Sequence, residues 1–226
     1  MKQGLKPGAN GPDWTKFSGL DEIKSFSSAR LLDIAMGRMR EILAGASVVI
    51  LLLALLAGYA FYKNRQETKS SLLLADAISS GQQAEKETAL LKDLVQKYGD
   101  SEAAKQALLI LGAFYRDKGE TDQAIDAFSK ARKMFPEGNA LFATSSLGLG
   151  YLDEGKKLYD DAKKNFKSSG QNKAFEPLAT LDLARVLAES GHRDEALESY
   201  NRYISLAKES PQLDFVHYEV TELSKK

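Results

Sequence analysis

The strongest hydropathy signal along the chain is a block with no alternation at all. Residues 42–62, ILAGASVVILLLALLAGYAFY, carry no charge. A helix of about 20 apolar residues covers a hydrocarbon core of roughly 30 Å. Arg38, Arg40 and Glu41 bound the block on one side, and Lys63, Asn64 and Arg65 on the other. Tyr59, Phe61 and Tyr62 gather at the second boundary, where aromatic rings suit the interface of lipid and water. The block predicts a transmembrane helix. A buried core helix would need surroundings apolar on every side, which the rest of the chain does not supply. A cleaved signal peptide has a shorter apolar region and a shorter polar start. GYA at 58–60 offers small residues in cleavage-like places, but an uncleaved signal anchor fits the length better.

Before the block, residues 1–41 form a leader. MKQGLKPGANGPDW opens it with glycines and prolines that prevent regular structure. Phe17, Leu20, Ile23 and Phe26 then fall three apart, followed by Leu31, Leu32, Ile34, Ala35 and Met39. Either an amphipathic helix on the membrane surface or a partly ordered tail accounts for this spacing. Lys24, Arg30, Arg38 and Arg40 precede the block closely, with Lys2, Lys6 and Lys16 further out; Lys63, Arg65 and Lys69 follow it. The bias places the N-terminus in the cytoplasm and the long C-terminal part outside, periplasmic in a Gram-negative bacterium.

After residue 66 the apolar positions recur at helical spacing. Residues 67–98 read as one helix pair, with Gly81 at the turn and Leu90, Leu91, Leu94 and Val95 on one face. Pro136, Pro177 and Pro211 lie roughly one helix pair apart, where a helix-breaking residue belongs. Residues 211–226 end the chain with Leu213, Val216, Val220 and Leu223 on a single stripe. Such a terminal helix closes a stack of helix pairs with a wet outer face.

Composition removes several kinds of chemistry. Acidic and basic residues balance at 31 each, so no global charge draws the chain to nucleic acid. Cysteine is absent, which excludes disulfides, thiolate metal sites and cysteine nucleophiles. His192 and His217 lack the spacing of metal ligands. Asp160 and Asp161 pair with nearby lysines as a solvated face does. GLGYLDEG lacks the preceding strand that a dinucleotide site requires. No enzyme, cofactor or metal site is expected.

The helix pairs share an internal frame. Leu111 and Gly112 are followed by Tyr115, then Ala124, Phe128, Ala131 and Pro136. This resembles the tetratricopeptide repeat (TPR), a helix-turn-helix of about 34 residues patterned L-G-x2-Y, A-x3-F, P. Gly112 and Ala124 would let the two helices approach closely, Gly119 would end the first helix, and Thr121 or Asp122 would cap the second. A looser match takes Leu147, Gly148, Tyr151, Ala162 and Phe166, with a turn two residues longer. A third takes Leu183, Ala184, Leu187, Ala196, Tyr200 and Tyr203, with Gly191 ending its first helix. The expected fold is all-α: one N-terminal transmembrane helix, then a TPR-like solenoid over 63–226. Its parts are a degenerate pair (67–98), repeats at about 105–138, 141–176 and 177–210, and a capping helix (211–226). A generic helical bundle is the alternative.

The resemblance implies an inner, concave face lined by the second, fifth, ninth, twelfth and thirteenth residues of each repeat. Carried onto this chain, these are Gln106, Leu109, Ala113, Arg116 and Asp117, then Phe142, Ser145, Leu149, Leu152 and Asp153. The third repeat supplies Leu178, Leu181, Arg185, Ala188 and Glu189. Such a face would take proteins or peptides, although some of the leucines would instead pack between repeats. The arrangement of leader, signal anchor and repeat domain also resembles the ancillary subunit family of the SecYEG translocon. That likeness implies an adaptor for exported proteins or periplasmic chaperones. The alternative is a scaffold for an envelope machine such as cell division, outer-membrane assembly or cytochrome maturation.

Overall fold

The computed structural model describes residues 36–81 and 83–225. The proposed surface helix within the leader lies outside them. Nine α-helices and no strand are found among the described residues. They are α1 (Met39–Ser79), α2 (Ala84–Lys97), α3 (Glu102–Asp117), α4 (Thr121–Lys133), α5 (Ala140–Gly155), α6 (Tyr159–Ser169), α7 (Glu176–Glu189), α8 (Arg193–Leu206) and α9 (Leu213–Lys225). The chain divides into two units at Phe61 and Tyr62.

The first unit, as far as it is described, is the N-terminal part of α1. Helix α1 is long and apolar enough to cross a membrane, and its most apolar window is not buried at all. Ile50, Leu56 and Phe61 are 66%, 64% and 71% exposed. The helix does not stop at the end of the apolar block: it runs unbroken to Ser79, so no linker precedes the expected start of the degenerate pair.

In the second unit the last turns of α1 bury Ser70, Leu74 and Ala77. Leu74 and Ala77 share a core with Leu91 and Leu94 of α2 and with Leu108 and Leu111 of α3. Helices α3/α4, α5/α6 and α7/α8 form three further pairs, each packed on the next, and α9 closes the row against α8. On α9, Val216 is fully buried while Leu213, Val220 and Leu223 pack partly, as the stripe predicts. Its outer face is less polar than expected, because Phe215 and Tyr218 are exposed there.

Helix ends show how the pairs are cut. Ser101 caps α3 by accepting from Ala104 N–H at 3.1 Å, and Asn139 caps α5 by accepting from Leu141 N–H at 2.8 Å. Pro177 sits in the first turn of α7, where its missing N–H costs nothing. Neither Thr121 nor Asp122 caps α4; Glu120 holds the cap position without a side-chain bond. The first helices of the last three pairs, α3, α5 and α7, end on a left-handed residue: Gly119 (φ 74°), Lys157 (φ 60°) and Gly191 (φ 81°). The next N–H then returns to a carbonyl five residues back: Glu120 to Tyr115, Leu158 to Asp153 and His192 to Leu187, each at 2.8 Å. This is a Schellman-type ending.

Those three endings fix the true register. Gly119, Lys157 and Gly191 stand at the same distance from Ala124, Ala162 and Ala196, and from Gly112, Gly150 and Ala184. The inter-helix turn of the second repeat is therefore no longer than the others. Its small residue is Gly150 rather than Gly148, and its tyrosine position is held by Asp153 rather than Tyr151. A Cβ on Gly150 would lie 2.6 Å from the Phe166 ring, just as one on Gly112 would lie 2.8 Å from the Phe128 ring. The side chain that crowds Gly112 most closely is that of Phe128. Gly148 serves a different contact, 2.7 Å from the far end of the Phe128 ring, and so joins one repeat to the next.

Two buried hydroxyls, on Ser146 and Ser169, have no hydrogen-bond partner among the described residues. Ser169 stands where the first repeat has Ala131, Ser146 where it has Leu108. An unpaired buried hydroxyl costs about 1–3 kcal/mol. Ser169→Ala is expected to raise the melting temperature by about 3 °C or more. A lowered midpoint would show that the hydroxyl finds a partner.

Candidate functional site

The corrected register changes which side chains of α5 occupy the first-helix face. The equivalents of Gln106, Leu109, Ala113 and Arg116 on α5 are Thr144, Leu147, Tyr151 and Glu154. All four are partly exposed. The residues expected there, Phe142, Leu149 and Leu152, are 9%, 4% and 7% exposed, and Ser145 is fully buried with its hydroxyl bonded to Leu141 O at 2.8 Å. These four side chains fill the interior. On α3, Gln106 and Arg116 are exposed, Ala113 is half-buried and Leu109 is 9% exposed. On α7, Leu178 is 40% exposed, Leu181 is 9% exposed and Arg185 is partly open. The signal that separates the two registers was present in the sequence: Phe166 follows Gly150, not Gly148, at the interval that Phe128 follows Gly112.

A polar network joins α5 to α7 on this face. Tyr151 Oη donates to Asp182 Oδ2 at 2.6 Å. Arg185 donates to Asp182 Oδ1 at 2.9 Å and pairs with Glu154 Oε1 at 2.7 Å. The Tyr151 ring meets Phe166 edge-on, with centroids 5.4 Å apart. Burial pushes the Asp182 and Glu154 carboxyls above the usual carboxylate range, partly offset by Tyr151 and Arg185 at Asp182 and by Arg185 at Glu154. Burial, and then the bond to Asp182, push the Tyr151 phenol well above its ordinary value.

A second network joins α4, α5 and α6. Arg132 of α4 donates to Asn165 Oδ1 at 2.6 Å, and Asn165 Nδ2 donates to Asp153 Oδ2 at 2.7 Å. Burial raises the Asp153 carboxyl, against the Asn165 bond. This network ties three helices across two repeats.

An open cleft of about 420 Å³ lies between α2, α3 and α4, with Val95, Leu108, Leu111 and Tyr115 on its walls. Its charges are already engaged: Lys130 pairs with Asp126 at 2.6 Å, Asp122 pairs with Lys156 at 3.3 Å, and Lys92 Nζ lies 5.4 Å from the centre of the Tyr115 ring. No group of three or more histidine or carboxylate side chains able to hold a metal occurs among the described residues. Among the first-helix positions, Gln106, Arg116 and Leu178 are exposed, and Leu147, Tyr151 and Glu154 are partly exposed.

Helix pairs stacked in register through a small residue and an aromatic define a TPR-like α-solenoid. The comparisons agree. Residues 106–138 match the family model described as tetratricopeptide repeat. The crystal structure of MamA protein is similar in fold, with a TM-score of 0.58 and 17% identity, covering 72% of this chain and 82% of that chain. No curated protein matches the chain.

Proposed function

We propose that the chain is a membrane-anchored adaptor that holds segments of other proteins on the face built by α3, α5 and α7. One observation carries this reading: the equivalent first-helix positions Leu147, Tyr151, Leu178 and Arg185 are all at least partly exposed, while the aromatics of the second helices are spent inside the stack. TPR-type folds commonly use such a face for protein partners. The exposed apolar stretch of α1 supports anchoring in a bilayer through residues 42–62, and the flanking positive charges support a cytoplasmic N-terminus with the repeats in the periplasm. The layout of leader, single apolar helix and repeat domain supports a place beside the Sec translocon, where exported proteins or periplasmic chaperones would be the partners.

A detergent pull-down with the anchor intact tests this placement. Recovery of translocon subunits together with chaperones or exported chains is the expected result. A single stoichiometric partner from a cell-division, outer-membrane-assembly or cytochrome-maturation complex would replace it with a dedicated scaffold.

A further inference from the structure

Helix α9 follows the frame of the first helices. Ala107, Ser145 and Ala179, which are 0%, 0% and 2% exposed, each stand five residues before the small residue of their helix, Gly112, Gly150 or Ala184. Val216, 0% exposed, is the buried residue of α9 and takes that position. Two stripes then run along opposite flanks of α9, because each residue turns the helix by about 100°. One is His217, Thr221 and Ser224, in the positions of Leu108, Gly112 and Tyr115. The other is Phe215, Tyr218, Glu222 and Lys225, in the positions of Gln106, Leu109, Ala113 and Arg116.

In α3 and α5 the first flank meets the second helix of the same pair, where Gly112 and Gly150 lie against Phe128 and Phe166. On α9 that flank is polar and exposed. The Thr221 hydroxyl donates to His217 O at 2.8 Å and the Ser224 hydroxyl to Val220 O at 2.6 Å, so the flank suits water rather than a further helix. The open apolar surface is on the other flank. Leu109 and Leu181 are each 9% exposed, whereas Tyr218 in their position is 61% exposed and Phe215 is 48% exposed. An aromatic side chain buries about 150–250 Å² when covered, so these two leave roughly 200 Å² open. A stable dimer buries about 800 Å² per partner, so the area fits one or two side chains of a peptide better than a second copy. Glu222 and Lys225 on this flank pair with each other at 2.5 Å, which leaves it no unmatched charge to draw a charged group.

We propose that α9 is a fourth peptide-holding helix, on which Phe215 and Tyr218 receive an uncharged apolar side chain, such as leucine, from a bound polypeptide segment. This inference rests on the peptide-holding reading above and adds the chemistry of the occupant. Two aromatics one helical turn apart form a single apolar platform, and covering it removes both rings and the incoming side chain from water.

The test uses the full chain in phosphatidylcholine nanodiscs and a fluorescein-labelled nonapeptide of alternating leucine and serine. Two companion peptides carry lysine or glutamate in place of the leucines. The leucine peptide is expected to bind about 10-fold more tightly than either companion. Phe215→Ser combined with Tyr218→Ser is expected to weaken the leucine peptide about 10-fold. Both side chains are exposed, so the melting temperature should not change. His217→Ala, on the opposite flank, should leave binding as it is. A lysine or glutamate peptide that binds as tightly as the leucine peptide, or a double variant that binds leucine like the parent, overturns the inference while the peptide-holding reading stands. A parent that is dimeric in detergent by light scattering, and monomeric as the double variant, assigns the aromatics to a second copy and overturns it as well. Binding of none of the three peptides overturns both readings.

Discussion

Gly148→Ala is expected to lower the melting temperature of the repeat domain by about 3–6 °C. The ring of Phe128 lies in the seam between α3 and α5. A Cβ at position 148 would stand 2.7 Å from its far carbons, and Gly112 already bounds its near side, with a Cβ position 2.8 Å away. The ring has no retreat, because moving off one backbone drives it into the other. Overpacking of this kind costs about 1–3 kcal/mol, while alanine returns about 1 kcal/mol of helix propensity. With both sides of the ring blocked the cost falls in the upper half of that range, and the resulting net loss of about 1–2 kcal/mol in a domain of this size gives the stated shift. Phe128→Leu added to Gly148→Ala should restore part of it, with a coupling of about 1 kcal/mol in the double-mutant cycle. Gly155→Ala on the same helix is the control: a Cβ there meets nothing within 4 Å, and the midpoint should hold or rise. Equal effects at 148 and 155 would mean that the seam is not tight.

Arg185→Met is expected to cost about 2 kcal/mol at pH 7.5 and distinctly less at pH 5. Removing one partner of a buried ion pair costs about 3–5 kcal/mol. The arginine side chain is 36% exposed, so water takes over part of its role and the figure is discounted. The Asp182 side chain is 8% exposed and that of Glu154 is 11% exposed, so both carboxylates would be left charged in a poorly hydrated place. Their folded-state values already lie above the ordinary carboxyl values, through burial first. An acid with a raised folded value binds its proton more tightly in the folded state. Its penalty is therefore full above the folded value and fades as pH falls through it toward the unfolded value. Thermal melts of both proteins between pH 7.5 and 5 should show the gap narrowing. A gap that widens on acidification would mean that Arg185 does not neutralise these two groups.

The repeat architecture was legible because it rests on local rules: a left-handed turn residue, a small residue and an aromatic at fixed intervals. Gly119 and Gly191 announced two turns by residue type. Lys157 could not, since a lysine at φ 60° gives no compositional sign. That conceals the third turn, and with two glycines in LGLGY the residue pattern favours a register two residues out of step. The error moved the expected binding positions from Thr144, Leu147, Tyr151 and Glu154 onto Phe142, Ser145, Leu149 and Leu152, which fill the interior. On α3 and α7, where the turn glycines fix the alignment, the same rule selects Gln106, Arg116, Leu178 and Arg185, which are at least partly exposed, but also Leu109 and Leu181, which are only 9% exposed and belong to the core. The Tyr151–Asp182–Arg185–Glu154 network was beyond reach, because it depends on side chains meeting across two repeats. The continuity of α1 through residue 62 was hidden by the change from apolar to polar composition, which alters the solvent a helix wants without ending the helix.

Site-specific photocrosslinking in cells tests the central claim most directly. A photoreactive residue placed at Leu147 or Leu178 samples the first-helix face, and one at Ser129 or Lys167 samples the second helices. Protein adducts are expected from Leu147 and Leu178, with little from the other two positions. Adducts only from the second helices, or none from any of the four, would contradict it.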